Sequence, residues 1–322
     1  MSYEERPENI KDALNKLLRV YGAPLGMLLV IVLGALYLFV SPGRDGSPAF
    51  PRSAVDPAAA GRAEARLKEL SGELRSTPDD LKALDESGCL KFQLGPARYP
   101  EAIADLEKAE SLGLTDARAF YYLGVMYQGV GLYDFAEHNY RKFLNNYPRD
   151  REARMLLAKL YYSSGKYPEA AQEFAEIRRR GSTDPVLLEN LTLSRWKAGQ
   201  DYSGPLSELR SAGGPGAFLA DYAEGTIKYG AKDYAGALPL LEKAAEASDP
   251  YGAFADRQEL FWMTGTAAVR ANDYAAASRY LQLLLQLDPA REEARRMLAV
   301  AEKKLAAKAR RAGKQGRPSG GK

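Results

Sequence analysis

Tyrosine recurs along this chain with a period that leaves little freedom for the fold. It stands at Tyr99, Tyr133, Tyr167, Tyr202, Tyr234 and Tyr274, at spacings of 34, 34, 35, 32 and 40 residues. Three residues after each come Ala102, Ala136, Ala170, Pro205, Ala237 and Ala277. Periods of this size mark a solenoid. Each unit has an apolar face it cannot bury alone, so neighbouring units must stack.

The best copy covers residues 117–150. Phe120, Leu123, Gly124, Tyr127, Ala136, Tyr140 and Pro148 follow the order aromatic-x2-Leu-Gly-x2-Tyr, Ala-x3-aromatic, Pro. Another copy has Phe261, Gly265, Tyr274, Ala277, Leu281 and Pro289. The copy at 151–184 has Leu157, Ala158, Tyr161, Tyr167, Ala170 and Phe174. Copies near 83–116, 186–217 and 218–251 keep the Tyr and most of the spacing. Over about 77–309 the chain therefore resembles the tetratricopeptide repeat (TPR) family.

That resemblance implies an all-α fold, a right-handed superhelix of helix-turn-helix repeats. About six repeats are expected, with a capping helix near 290–309 that carries Ala294, Leu298, Ala301 and Leu305 on one face. Small residues such as Gly124 and Ala136 belong where two helices approach closely. Tyr127 and Tyr140 fill the space between hairpins. Gly213-Gly214-Pro215-Gly216 breaks the array. The 40-residue spacing before Tyr274 implies about six extra residues near Asp249–Arg257.

Composition removes several chemistries. The chain has one Cys and one His, so no internal disulfide and no Cys/His zinc cluster can form. Cys89 reads as a buried small hydrophobe and His138 as a surface residue. There is no Gly-rich phosphate loop and no catalytic spacing motif. The chain is expected to be no enzyme and to need no cofactor or metal. Net charge is only +3, which does not point to a nucleic-acid partner.

Upstream of the repeats, no charge occurs in the 24 residues between Arg19 and Arg44, and Leu25–Val40 is densely apolar. About 20 residues of helix cross a bilayer core, so residues 23–41 read as a transmembrane helix. A cleaved signal peptide fits less well. The run starts more than twenty residues in, and the small cluster Ala58-Ala59-Ala60 lies far downstream. Arg6, Lys11, Lys16 and Arg19 precede the span, whereas only Arg44 and Arg52 follow it closely. This places the N-terminus inside and the repeats outside. Residues 1–22 read as an amphipathic juxtamembrane segment, with Ile10, Leu14, Leu17 and Leu18 at helical spacing.

Residues 42–76 form a proline-rich linker with one helical stretch marked by Ala63, Leu67, Leu70 and Leu74, either docked on the repeats or loosely attached. Thr77-Pro78-Asp79-Asp80 opens the next helix. Residues 310–322 read as a disordered basic tail. From Lys303 to Lys322 there are eight positive residues and no acidic one, which leaves −5 for residues 1–302. The tail suits anionic lipid or polymer.

Members of the family bind peptides on a concave wall of first helices. By resemblance, the wall here holds Lys91, Arg118, Tyr121, Gln128, Lys159, Tyr162, Asn190, Lys197, Tyr222, Tyr229, Trp262 and Arg270, together with Val125, Met155, Ser194, Thr226 and Thr266. Aromatics interleaved with basic residues suit a protein or peptide partner. The Lys/Asn clamp for chaperone tails is absent. Its places hold Tyr121 and Val125 in one repeat, Met155 and Lys159 in the next.

The expected function is a membrane-anchored protein–protein interaction scaffold. Ala-, Gly- and Arg-rich usage suggests a bacterial inner membrane, with the N-terminus cytoplasmic and the repeats periplasmic. The layout also resembles the single-span ancillary subunit of the bacterial Sec translocon. A chaperone-like translocation subunit, or a structural subunit of a flagellar-motor or secretion assembly, therefore stays open.

Overall fold

A computed structural model describes residues 49–53, 57–114, 116–251 and 253–315. The expected juxtamembrane segment (1–22) and span (23–41) lie outside them. Among the described residues no helix is long and apolar enough to cross a membrane.

Every regular element described is helical. α1 is Pro57–Ser76, α2 Leu81–Gln93, α3 Tyr99–Ser111, α4 Ala117–Gly129, α5 Tyr133–Asn146, α6 Arg151–Ser163, α7 Tyr167–Arg179 and α8 Pro185–Lys197. α9 is Ser203–Ser211, α10 Gly214–Gly230, α11 Tyr234–Glu246, α12 Ser248–Tyr251, α13 Arg257–Arg270, α14 Tyr274–Leu287 and α15 Glu292–Gln315. The periodic tyrosines now have a place. Tyr99, Tyr133, Tyr167, Tyr234 and Tyr274 each begin the second helix of a hairpin, and Tyr202 is the residue just before α9.

Five of the six first helices start on an acidic cap, and α10 starts on Gly213 without one. Asp80, Asp116, Asp150, Asp184 and Asp256 each accept backbone N–H bonds from the first turn of their helix. These bonds satisfy donors that a helix start leaves without partners. Within a hairpin, close packing is set by a small residue. A Cβ on Gly124 would lie 2.6 Å from the Tyr140 ring, and one on Gly225 or Gly265 would lie 2.7 or 2.8 Å from Leu241 or Leu281. The alanines three residues into the second helices (Ala102, Ala136, Ala170, Ala237 and Ala277) are all fully buried.

The turn inside each hairpin needs one left-handed residue. Gly131, Gly165 and Gly199 supply it without cost, whereas Lys232 and Asn272 adopt φ of 62° and 64°. Lys carries a steric penalty there that Gly lacks. Lys232→Gly is expected to stabilise the body by about 0.5–1 kcal/mol, a rise in Tm of about 1–3 °C. Asn272→Gly gains less, because Asn tolerates this region. Differential scanning calorimetry of the two variants checks the order.

Two apolar clusters form the core. One runs from Leu84 to Leu191, the other from Leu188 to Ala301. They meet at α8, which gives Leu187 and Leu191 to the first and Leu188 to the second.

Three places are more specific than the sequence expectation. Within the linker 42–76, α1 docks on α2: Leu67 and Leu70 bury against Ala83. At the C-terminus, α15 continues to Gln315, six residues into the segment read as tail. Ala294 and Ala301 are fully buried, but every residue from Glu302 to Arg311 is exposed. Finally, the extra residues before Tyr274 form α12 and the turn after it, where the Tyr251 ring packs on Phe218 at 5.5 Å.

Candidate functional site

Three pairs of first helices pack side by side, α2 against α4, α8 against α10, and α10 against α13. Gly88, Gly124, Gly225 and Gly265, with buried Ala158 and Thr192 in the equivalent places, fix a common register. Three residues before each stands Asp85, Tyr121, Met155, Glu189, Tyr222 or Trp262. This row, one residue per repeat, crosses the first-helix face.

The residues expected on the wall divide into groups. Tyr162, Tyr222, Tyr229 and Trp262 are half-buried, so each ring keeps an open edge. Tyr162 meets Tyr167 edge-on at 5.4 Å, Tyr229 meets Tyr234 at 5.6 Å, and Arg291 lies 4.3 Å above Trp262. Lys159, Lys197 and Arg270 are exposed, with Lys197 4.5 Å from the Trp196 ring.

Four others already serve partners within the chain. Lys91 donates to Asp105 at 2.6 Å, Arg118 pairs with Asp116, Gln128 accepts from the Tyr140 hydroxyl at 2.8 Å, and Asn190 donates to the Val186 carbonyl at 2.7 Å.

Three positions need correction. Ser194 and Thr266 are buried. Tyr121 is 1% exposed, because the chain's own residues 50 and 52 lie against its ring. In α8 the equivalent positions fall one residue earlier than expected, on Glu189, Leu193 and Trp196. The shift follows from α9, which starts after Tyr202 and not on it.

Glu189 was missed altogether. It is 8% exposed, and among the described residues no ion pair or hydrogen bond meets it. Burial holds its carboxyl up to about 8. Burial also raises the phenols of Tyr162 and Tyr222, with a further push from Glu189 on each, and from Glu259 and Asp256 on Tyr222. This stretch is therefore aromatic and acidic, not aromatic and basic. The signal lay in the sequence: Glu189 stands 34 residues after Met155 and 68 after Tyr121.

The second feature lies between α4, α5 and α6, where residues 50–52 are seated. The Phe50 ring stands edge-on to Tyr121, Tyr122 and Phe143 at 5.3, 5.5 and 6.1 Å. The Tyr122 hydroxyl donates to the Pro51 carbonyl at 2.7 Å. Arg52 forks onto Asp150 at 3.0 and 2.5 Å and reaches Glu152 at 3.2 Å. Its guanidinium lies 4.5 Å from the Phe50 ring and 4.8 Å from Tyr121. The Tyr121 hydroxyl donates to Glu152 at 2.8 Å, which fixes that carboxylate. Burial, with Glu152 adding to it, raises the Tyr121 phenol, so it stays a donor.

Sequence comparison gives one family match: residues 127–185 fit the model described as tetratricopeptide repeat. The described body is a TPR-like helical solenoid. The C-terminal part of a TPR repeat-containing protein from Cytophaga hutchinsonii is similar to it, with TM-score 0.51 and 17% identity, over 74% of this chain and 99% of that one. A tetratricopeptide repeat protein from Parabacteroides merdae is also similar, with TM-score 0.53 and 17% identity, over 76% and 94%. At that identity the likeness shows the fold alone. No curated protein matches the chain. The matched stretch of this TPR-like solenoid runs from Tyr127 in α4 to Pro185, the first residue of α8, and so includes Asp150 and Glu152.

Proposed function

We propose that the protein is a membrane-anchored interaction scaffold that binds a partner protein or peptide on its first-helix face. Glu189 carries this reading. A carboxyl buried without a partner among the described residues destabilises the native state once ionised. The flanking aromatics Tyr162 and Tyr222 and the carboxylates Asp256 and Glu259 suit a cationic or hydrogen-bonding group brought by a partner. Helix packing alone has no need of that arrangement.

The uncharged run before Arg44 supports an anchor at 23–41, with residues 1–22 on the cytoplasmic side of a bacterial inner membrane. The repeat body (77–309) is then periplasmic, joined by the linker 42–76. The basic C-terminal segment meets anionic lipid or polymer. Tethering raises the local concentration of whatever the face binds.

Reporter fusions placed after residue 60 and at the C-terminus of the full chain test the topology. Periplasmic reporters active at both points are expected. A cytoplasmic C-terminus contradicts the periplasmic reading.

A further inference from the structure

We propose that the cleft between α4, α5 and α6 is a sequence-reading peptide site, for an aromatic residue followed two positions later by arginine, and that Phe50 and Arg52 fill it in cis. The proposal deepens the scaffold reading, because it names one class of segment that the first-helix face takes.

The seat has the parts of a peptide site. Tyr121, Tyr122 and Phe143 surround the Phe50 ring on three sides, in the edge-on geometry that aromatic quadrupoles favour. The Tyr122 hydroxyl holds the backbone carbonyl between the two anchors. Asp150 is 1% exposed and takes both Nη atoms of Arg52. That planar fork is a geometry arginine matches and lysine does not. Burial works against the Arg52 charge, and the Asp150 and Glu152 carboxylates more than offset it, so the guanidinium stays ionised.

The contacts are to side chains and one carbonyl of a short segment. Among the described residues they come from Phe50, Pro51 and Arg52, an aromatic-x-Arg sequence. A partner segment with the same spacing can make all of them. In the resting protein it must displace the tethered copy, which is present at a high effective concentration. Displacement frees residues 49–53 and lengthens the tether before α1. The site is thus closed to weak ligands and open to strong or multivalent ones.

The test uses the full-length chain in detergent micelles and a fluorescein-labelled peptide of sequence Ser-Pro-Ala-Phe-Pro-Arg-Ser-Ala, which copies residues 47–54. Fluorescence anisotropy is compared for wild type and for the double variant F50A/R52A. The double variant is expected to bind the peptide at least tenfold more tightly than wild type. Adding Glu152→Gln and Asp150→Asn to it should reduce that binding at least tenfold. Asn keeps the helix cap at position 150, and far-UV circular dichroism with a cooperative thermal transition confirms that the helical body is folded.

A peptide with Lys in place of Arg should bind more weakly to the double variant. Equal binding to wild type and double variant overturns occupancy in cis. No binding to a folded double variant overturns the site itself. Both outcomes leave the aromatic and acidic stretch around Glu189 untouched, so they are distinguishable from failure of the scaffold reading.

Discussion

Glu189→Gln stabilises the protein at pH 9 and leaves its stability unchanged at pH 4. The direction follows from the native carboxyl, which burial holds near 8 and not near its usual 4.5. Below about 4.5 both folded and unfolded chains hold the proton, and the glutamate costs nothing. Between those values the unfolded chain releases it and the folded chain does not, so stability falls as pH rises. Above 8 the folded state carries a buried charge, at a cost of up to about 5 kcal/mol.

Glutamine has the same shape and no charge, so the part of the slope that Glu189 contributes is absent from the variant's curve. Tyr162 and Tyr222, whose phenols are raised above their ordinary value, stay neutral to pH 9 and do not blur the comparison. Urea unfolding at pH 4, 7 and 9 checks it. The expected gap is near zero, then roughly 3 kcal/mol, then roughly 5 kcal/mol. Parallel curves for the two proteins would contradict the account of Glu189.

Tyr140→Ala lowers stability by about 3–5 kcal/mol, the range for deleting a buried aromatic ring. Tyr140 is fully buried, and its ring edge sits where Gly124 leaves room. The glycine side of the space cannot refill it, because Gly124 has no side chain to move in. Tyr140→Phe keeps the ring and removes only the bond to half-buried Gln128. It should cost about 1 kcal/mol. A solenoid transmits damage mainly to adjacent units. Hydrogen exchange in Tyr140→Ala should therefore rise most in α4 to α6 and little in α13 and α14.

Much of this fold was legible in the sequence, because the period and the packing have one cause. Tyr99, Tyr133 and Tyr167 recur at 34 residues since each opens a second helix. Ala102, Ala136 and Ala170 follow since the helices touch there. The acidic caps Asp116, Asp150 and Asp184 keep the same spacing and were overlooked, as polar residues between apolar runs look like ordinary loop.

The binding face was less legible. Tyr202 stands one residue before α9, so α8 is offset by one residue from the tyrosine period and places Glu189, not Asn190, on the row. Phe50 and Arg52 sit among prolines in a stretch with no periodicity. Their seat on Tyr121 and Asp150 is a contact 71 and 98 residues away, which no local pattern encodes.

The central claim is that partners bind the first-helix face, and in-cell photocrosslinking tests it most directly. A photoreactive amino acid is placed at Tyr162, Tyr222 or Trp262 on first helices, and at the exposed second-helix positions His138 and Gln172 as controls. The account predicts that the first three positions trap the same protein and that both controls trap none. Crosslinks from His138 and Gln172, with none from Tyr162, Tyr222 and Trp262, would contradict it.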